Sequence, residues 1–145
     1  MFKIPELPEY IQSVLPHLIV KEEKKNGELE SESYYAFSPE MIRWVNENRE
    51  AYSECPTILQ TCDELSKASL YYNGCASESV PGEESFVLRF VIREVKYPLH
   101  LCDLIYDYLT ACNIEGINPD NVAIGCSRNA PTYMELPFHR KIESL

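Results

Sequence analysis

A cysteine with hydrogen-bonding neighbours follows a short apolar run near the C-terminus. Cys126 stands between Gly125 and Ser127, and Arg128 comes next. Cysteine attacks as its thiolate, so a nucleophilic role needs a nearby cation or helix N-terminus and a base that removes the thiol proton. Arg128 could hold an anion, and His139 could act as the base. Together these residues define one hypothesis, a small thiol-dependent enzyme with Cys126 as its nucleophile.

The alternative is that Cys126 is an inert residue at the end of a strand, since cysteine is among the side chains most often buried. Ser127, Asn129 and Pro131 are also the residues that an ordinary turn uses. The spacing of Cys126 and Arg128 matches no catalytic signature. We therefore expect no catalytic residue and keep the thiol enzyme as the alternative reading.

Two other cysteines raise the question of a metal. Cys55 and Cys62 are seven residues apart, which is about 10 Å along a helix. That distance is too long for two ligands of one zinc ion unless the chain bends between them. Cys55 precedes a helix start, so a bent site with Cys75 or a histidine stays open as a third reading, a metal-binding module. We expect Cys62 to be a core residue and expect no metal or other cofactor.

The carboxylates Asp103 and Asp107 lie one helical turn apart. Such a pair could perform acid–base chemistry or bind Mg²⁺. The same pair is also what the solvated side of an amphipathic helix requires. Because no third acid is placed beside them by the sequence, we interpret them as surface charges.

The charge of the whole chain limits its partners more strongly than any motif does. The 145 residues include 23 acidic and 13 basic side chains, a net charge of −10. Residues 1–64 hold 13 acids and 6 bases, net −7, and residues 65–145 hold 10 acids and 7 bases, net −3. Nucleic acids and anionic membranes attract basic proteins, so direct binding to either is disfavoured. We expect a basic protein partner, such as a nucleic-acid-binding enzyme or an effector, and leave a homodimer open.

The expected cellular compartment is inferred from sequence features that the chain does not show. No apolar run approaches the roughly 20 residues that span a bilayer, and the N-terminus carries no hydrophobic signal segment. None of the six cysteines forms a Cys-x-x-Cys pair. These features favour a reducing cytoplasm and free thiols.

The N-terminal half predicts an acidic hairpin. Asn26-Gly27 tolerates the positive φ angles of a two-residue type I′ turn, so strands are expected over about 17–25 and 28–37. This turn would place Lys25 opposite Glu28 and Glu23 opposite Glu30. The hairpin tip is charged on both faces, so it should project from the body.

Helical spacing and turn residues predict the remaining elements. Pro8 begins a short first helix, Ser38-Pro39-Glu40 caps a helix over about 39–52, and Cys55-Pro56-Thr57 begins a helix that reaches about Tyr71. The predicted C-terminal order is a loop at 75–85, a strand at 86–95, a helix at 99–113, a strand at 121–126 and a last strand at 132–136.

The sequence therefore predicts one α+β domain over residues 1–145, with a small mixed or antiparallel sheet and three to four helices. It would contain the acidic hairpin (17–37), a helical pair (39–72) and a strand–helix–strand unit (86–126). Tyrosine, ten residues in all, is enriched at protein interfaces. We expect an inhibitor, chaperone or adaptor that binds a basic surface. Carboxylates that replace phosphates would make such a protein a nucleic-acid mimic. The residues expected to bind the partner are Glu22, Glu23, Glu28, Glu30, Glu32, Tyr34, Tyr35, Asp63, Glu64, Asp103 and Asp107.

Overall fold

The computed structural model describes residues 9–26, 30–80, 83–127 and 130–141. In these ranges the chain forms four α-helices and six strands. In chain order they are α1 (Glu9–Val14), β1 (Ile19–Asn26), β2 (Glu30–Phe37), α2 (Pro39–Glu47), α3 (Pro56–Glu64), β3 (Ser69–Val80), β4 (Glu83–Arg93), α4 (Pro98–Cys112), β5 (Ala123–Ser127) and β6 (Ala130–Lys141).

The strands form one sheet in the order β1-β2-β3-β4-β6-β5, and each neighbouring pair is antiparallel. Since β4 and β5 both pair with β6, they run parallel to each other with β6 between them. Helix α4 connects β4 to β5, which makes a split β-α-β unit. The predicted α+β fold is confirmed, and of the two predicted kinds of sheet, mixed or antiparallel, the structure has the antiparallel one.

The ends of the longer helices follow local sequence chemistry. Ser38 caps α2 by accepting the Met41 N–H at 3.0 Å, and Pro39 occupies the first turn. Helix α4 ends where Asn113 adopts a left-handed conformation with φ of 47°. Both boundaries lie where the sequence predicts them.

The hydrophobic core lies between the helices and one face of the sheet. Alternate residues of each central strand face it, so Leu88 and Phe90 of β4 are fully buried beside Leu136 and Met134 of β6. The largest fully buried side chains are Tyr108, Phe37, Phe90, Phe138, Ile11, Leu18, Ile19, Met41, Leu65, Leu70, Leu88 and Leu101.

The prediction that the third helix reaches Tyr71 is wrong. Helix α3 ends at Glu64, and the chain enters β3 at Ser69. Leu70 pairs with Tyr35 of β2 and with Ile92 of β4 and is completely buried. A pairing with two strands that are distant in sequence overrides the local helical spacing.

The predicted loop at 75–85 is also wrong. The backbone of residues 75–80 belongs to β3 and that of residues 83–85 to β4, whose pairing extends to Val80 opposite Glu83, and residues 81–82 lie outside the described residues. Strand β4 pairs with β6 over the same length, from Glu83 opposite Lys141 to Val91 opposite Tyr133. Pairing on both sides of β4 holds this segment extended although its composition favours a turn.

The hairpin β1–β2 exists, but its predicted register is wrong. Asn26 pairs with Glu30, so three residues connect the strands, and Glu23 pairs with Ser33. At the base, Ile19 pairs with Phe37, and both are buried in the core. Register follows the burial of one strand face, and here that burial outweighs the turn preference of Asn26-Gly27.

Candidate functional site

One face of the sheet carries no described helix. Among the strand residues whose side chains the structure describes, every one that points away from the core is at least partly exposed. Antiparallel sheets commonly have such a solvated face, but its residues are then mainly polar. Here tyrosine, valine and proline alternate with arginine and glutamate. We call this surface the open face, formed by Val20, Glu22, Tyr34, Ala36, Tyr71, Val87, Arg89, Val91, Arg93, Gly125, Tyr133, Glu135 and Pro137.

Three half-buried tyrosines cross the open face. The rings of Tyr34 and Tyr71 have centroids 6.2 Å apart, across the junction of β2 and β3. Tyr71 pairs with Val91 of β4, and Val91 pairs with Tyr133 of β6. The three rings therefore come from three different strands and line up perpendicular to the chain direction.

Two arginines on β4 lie over two of these rings, those of Tyr71 and Tyr133. The guanidinium carbon of Arg93 lies 4.6 Å from the centroid of the Tyr71 ring, and that of Arg89 lies 5.2 Å from the Tyr133 centroid. Arg89 also donates to the Glu135 carboxylate through Nη2 at 2.7 Å and Nε at 3.1 Å. Cation–π contact and the ion pair fix ring orientation on an otherwise solvated surface.

Gly125 makes room for one of the rings. A Cβ atom built at this position would lie 2.7 Å from Cε2 of Tyr133, its cross-strand partner. The ring therefore covers the glycine backbone, an arrangement known to stabilise glycine in strands. Packing of Tyr133 thus accounts for Gly125, without reference to the neighbouring cysteine.

The predicted hairpin residues lie at one side of the open face. Glu22 is exposed and pairs with Tyr34, so it belongs to the open face itself. Glu23 is exposed on the opposite side of the strand. Glu30 and Glu32 pair in the backbone register with Asn26 and Lys24, and Glu28 lies outside the described residues.

Tyr35 does not belong to an exposed surface. Only 9% of the residue is accessible, and its ring meets that of Phe90 edge-on at 5.2 Å. Burial raises the pKa of its hydroxyl above the ordinary value. Of the two adjacent tyrosines, Tyr34 therefore faces outward and Tyr35 faces the core.

The predicted acids of the helical layer have partners within the protein. Asp63 accepts from Arg49 Nη1 at 2.7 Å, which lowers the pKa of its carboxyl, and Asp107 accepts the Tyr52 hydroxyl at 2.7 Å. Glu64 accepts the backbone N–H of Lys96 at 2.9 Å. These side chains and Asp103 lie on helices, across the sheet from the open face, so the eleven residues do not form one surface.

The thiol hypothesis for Cys126 receives no geometric support from the backbone. Gly125 pairs with Tyr133 and Ser127 with Ala130, whereas His139 pairs with Ser85 of β4. Residues 133 and 139 are about 20 Å apart along a strand. Strand β6 therefore does not bring His139 beside Cys126, and Arg128 lies outside the described residues.

The cysteines proposed for a metal are also separated. Cys62 is buried in α3 and Cys55 stands at the N-cap of that helix. Among the described residues, no group of three or more histidine, cysteine or acidic side chains is arranged to hold a metal ion.

Sequence reasoning missed most of the open face. The alternation of residues 86–95 did place Arg89 and Arg93 opposite the apolar face of β4. Tyr71 was assigned to a helix, and Tyr133 carried no distinguishing motif. Only the strand order brings them together.

Comparison with family models, curated proteins and solved structures finds no match for this chain. In the described part of the chain, no helix has the length and apolar character needed to cross a bilayer.

Proposed function

We propose that this protein is a non-enzymatic interaction module that binds a basic surface of a partner protein through the open face and the adjoining β1–β2 hairpin. The observation that carries this proposal is the row of three half-buried tyrosines on a sheet face without a described helix, beside an acidic strand pair. A module of this kind would inhibit an enzyme whose nucleic-acid groove it occupies, or act as a chaperone or adaptor for a basic effector.

The tyrosines suit a binding surface because contacts within the free protein already orient their side chains. Arg93 and Arg89 lie over the Tyr71 and Tyr133 rings. A side chain that is already fixed loses little conformational entropy on binding. Tyrosine adds a large contact area with a polar tip, and it is among the residues that dominate interface energies.

Charge selects the class of partner. Residues 1–64 carry a net charge of −7, and the hairpin segment 19–37, with five acids and three lysines, contributes −2 of it. On the open face Arg89 is paired with Glu135, Arg93 lies over the Tyr71 ring, and Glu22 pairs with Tyr34. Lysine- and arginine-rich protein segments meet carboxylates in charge-assisted hydrogen bonds, as they meet phosphates in nucleic acids. The proposed occupant is therefore a basic protein segment that contacts the tyrosines with its apolar side-chain stems.

The charge contribution is tested with a fluorescent nona-arginine peptide as the probe. Its dissociation constant is measured by anisotropy at low and at physiological salt. The double variant Glu22→Lys/Glu23→Lys should raise this constant roughly tenfold, since two attractive contacts become repulsive. The control Glu47→Lys/Glu54→Lys makes the same change in net charge at exposed positions of the helical layer. Equal effects of the two double variants would refute a hairpin-centred site.

The aromatic contribution is tested separately with Tyr71→Ala, which leaves the net charge unchanged. We expect roughly a tenfold weaker peptide complex, because a central tyrosine of an interface costs about 1–2 kcal/mol or more when truncated. Tyr106→Ala on the exposed side of α4 is the matched control. Unchanged affinity in Tyr71→Ala, or tighter binding of a single-stranded oligonucleotide than of the peptide, contradicts the proposal.

A further inference from the structure

A chain of polar contacts lies where α3 begins against the first turn of α4, across the sheet from the open face. Cys55 Sγ is 3.3 Å from Thr57 Oγ1, and Thr57 Oγ1 is 2.8 Å from His100 Nε2. On the other side of the imidazole, Asp103 Oδ2 lies 3.8 Å from Nδ1. A thiol, a hydroxyl and an imidazole from two helices are thus hydrogen-bonded in order, while His100 Nδ1 has no hydrogen-bond partner and is only near the Asp103 carboxylate.

The position of Cys55 at the helix start favours its thiolate. Cys55 is the N-cap of α3, with extended φ and ψ of −120° and 97°. The Thr57 hydroxyl, followed by the backbone N–H of Ile58, lowers the pKa of the Cys55 thiol below its ordinary value. Desolvation by burial and, less strongly, the Asp103 charge oppose this effect. Free N–H groups at a helix start stabilise an anion in this way.

The other cysteines with described side chains are in the opposite situation. Burial is the largest cause that raises the pKa of Cys62, Cys102 and Cys112. The side chain of Cys112 is nevertheless exposed, whereas that of Cys55 is only partly exposed. If access alone controlled reactivity, Cys112 would react first. The surroundings of Cys55 predict the reverse order.

We propose that Cys55 is a modification site whose thiol exchanges with low-molecular-weight disulfides, with Thr57 and His100 as its proton relay. The thiol proton passes to Thr57 Oγ1, while the Thr57 hydroxyl proton passes to His100 Nε2. This direction requires the tautomer of His100 in which Nε2 is the ring nitrogen that accepts from the Thr57 hydroxyl. Thr57 and His100 are positioning and proton-carrying groups, and Cys55 alone forms the new bond.

The exchange step balances without any further reactant. The Cys55 thiolate attacks one sulfur of the disulfide R–S–S–R, a bond forms between Cys55 Sγ and that sulfur, and the original S–S bond breaks. The second sulfur leaves as a thiolate and takes back the proton held by His100. Cys55 becomes a mixed disulfide, one R–S group is reduced, and one R–SH is released.

The experiment uses the full-length protein, oxidised glutathione at neutral pH, and peptide mass spectrometry to follow each cysteine over time. Cys55 should be modified first, about threefold faster than Cys112. The lowered pKa of Cys55 gives it more thiolate, and its lower nucleophilicity offsets only part of that gain, so a difference of about threefold is expected. The more exposed Cys112 serves as the internal reference in every sample.

Two variants at one position separate the relay from mere structure. Thr57→Val removes the hydroxyl and should slow Cys55 about threefold without changing Cys112. Thr57→Ser restores the hydroxyl and should restore the rate. Circular dichroism monitors folding in both variants. The proposal is overturned if Cys55 reacts no faster than Cys112 in the native chain, or if Thr57→Val and Thr57→Ser give the same rate as the native residue. None of these readouts involves the open face, so they stand apart from the proposed binding function.

Discussion

At the scale of single residues, Ser38 connects three parts of the chain. It is 1% accessible, accepts the Met41 N–H at 3.0 Å, and donates to the His17 carbonyl at 2.7 Å. The same carbonyl accepts the Tyr108 hydroxyl of α4 at 2.6 Å. One serine therefore caps α2 and ties the entry of β1 to the helical layer.

Replacing Ser38 with alanine should lower the free energy of unfolding by about 2 kcal/mol. The variant loses the helix cap, which leaves the buried Met41 N–H without its acceptor, and it also loses the donor to the His17 carbonyl. Each of these two losses costs about 1 kcal/mol. Urea unfolding followed by circular dichroism measures the change. Ser13→Ala is the control, because the Ser13 hydroxyl donates to the Tyr10 carbonyl in an exposed position. Losses of equal size in the two variants would contradict the role assigned to Ser38.

The cap of α2 shows which residue roles a sequence can predict. Ser38-Pro39-Glu40 signals a helix start because all its partners lie within one turn, and the structure confirms it. The bond to the His17 carbonyl spans 21 residues and has no local signal. Cys55 shows the same limit, since its relay depends on His100, which is brought close only by the packing of α3 on α4.

At the scale of elements, β1–β2 is attached to the sheet more weakly than the other strand pairs. The register joins β2 to β3 only at Tyr35 opposite Leu70, near the hairpin base. Beyond Tyr34 the two described strands pair with each other alone. The β3–β4 hairpin differs, because β4 also pairs with β6 along most of its length.

This difference predicts distinct rates of amide hydrogen exchange. Amides of residues 22–26 and 30–33 should exchange by local opening and be the least protected of the strand amides. Amides of residues 86–92, held between two strands, should be protected up to the free energy of global unfolding. Exchange at the two sites is compared by mass spectrometry of peptides. Equal protection of the hairpin tip and of β4 would show that the hairpin is not an independent unit.

Elements with local signals were predicted well, and strands defined by their partners were not. Helix α4, predicted at 99–113, extends from Pro98 to Cys112, because its apolar positions repeat at helical spacing within one segment. The start of β3 was assigned to a helix, because Leu70 owes its strand conformation to β2 and β4. A pairing partner some 20 to 35 residues away cannot be read from periodicity within a window, in line with the strong context dependence of strand propensity.

At the scale of the whole molecule, the candidate site depends on strand order. Tyr34 and Tyr71 meet where β2 pairs with β3, and Tyr133 joins their row only because β6 pairs with β4. The acidic hairpin could be identified from composition alone, and so could the class of partner that we propose. The aromatic part of the surface could be recognised only once the strand order was known.

The folded protein also keeps several ionisable side chains neutral. Burial, the largest cause in each case, raises the pKa of Tyr52 and Tyr108 above the ordinary value, and the hydrogen bond to Asp107 adds to it at Tyr52. Burial does the same for the thiols of Cys62 and Cys102. In the unfolded chain these groups ionise near their ordinary pKa values, about 8.5 for cysteine and 10 for tyrosine.

Stability should therefore fall on the alkaline side. Below about pH 8 the folded and the unfolded chain both hold these protons, so these groups do not reduce stability. Above the ordinary pKa values the unfolded chain binds fewer protons than the folded one, and the free energy of unfolding decreases. Ionisation of Tyr108 in the unfolded chain alone should lower the free energy of unfolding by about 1.4 kcal/mol between pH 8 and about pH 11. Urea unfolding at the two pH values measures the loss. Tyr108→Phe should be less stable than the native protein at pH 8, because it lacks the hydrogen bond to the His17 carbonyl. Between pH 8 and pH 11, however, its free energy of unfolding should fall by less than that of the control Tyr106→Phe, whose ring is exposed. Identical losses would contradict the assignment to Tyr108.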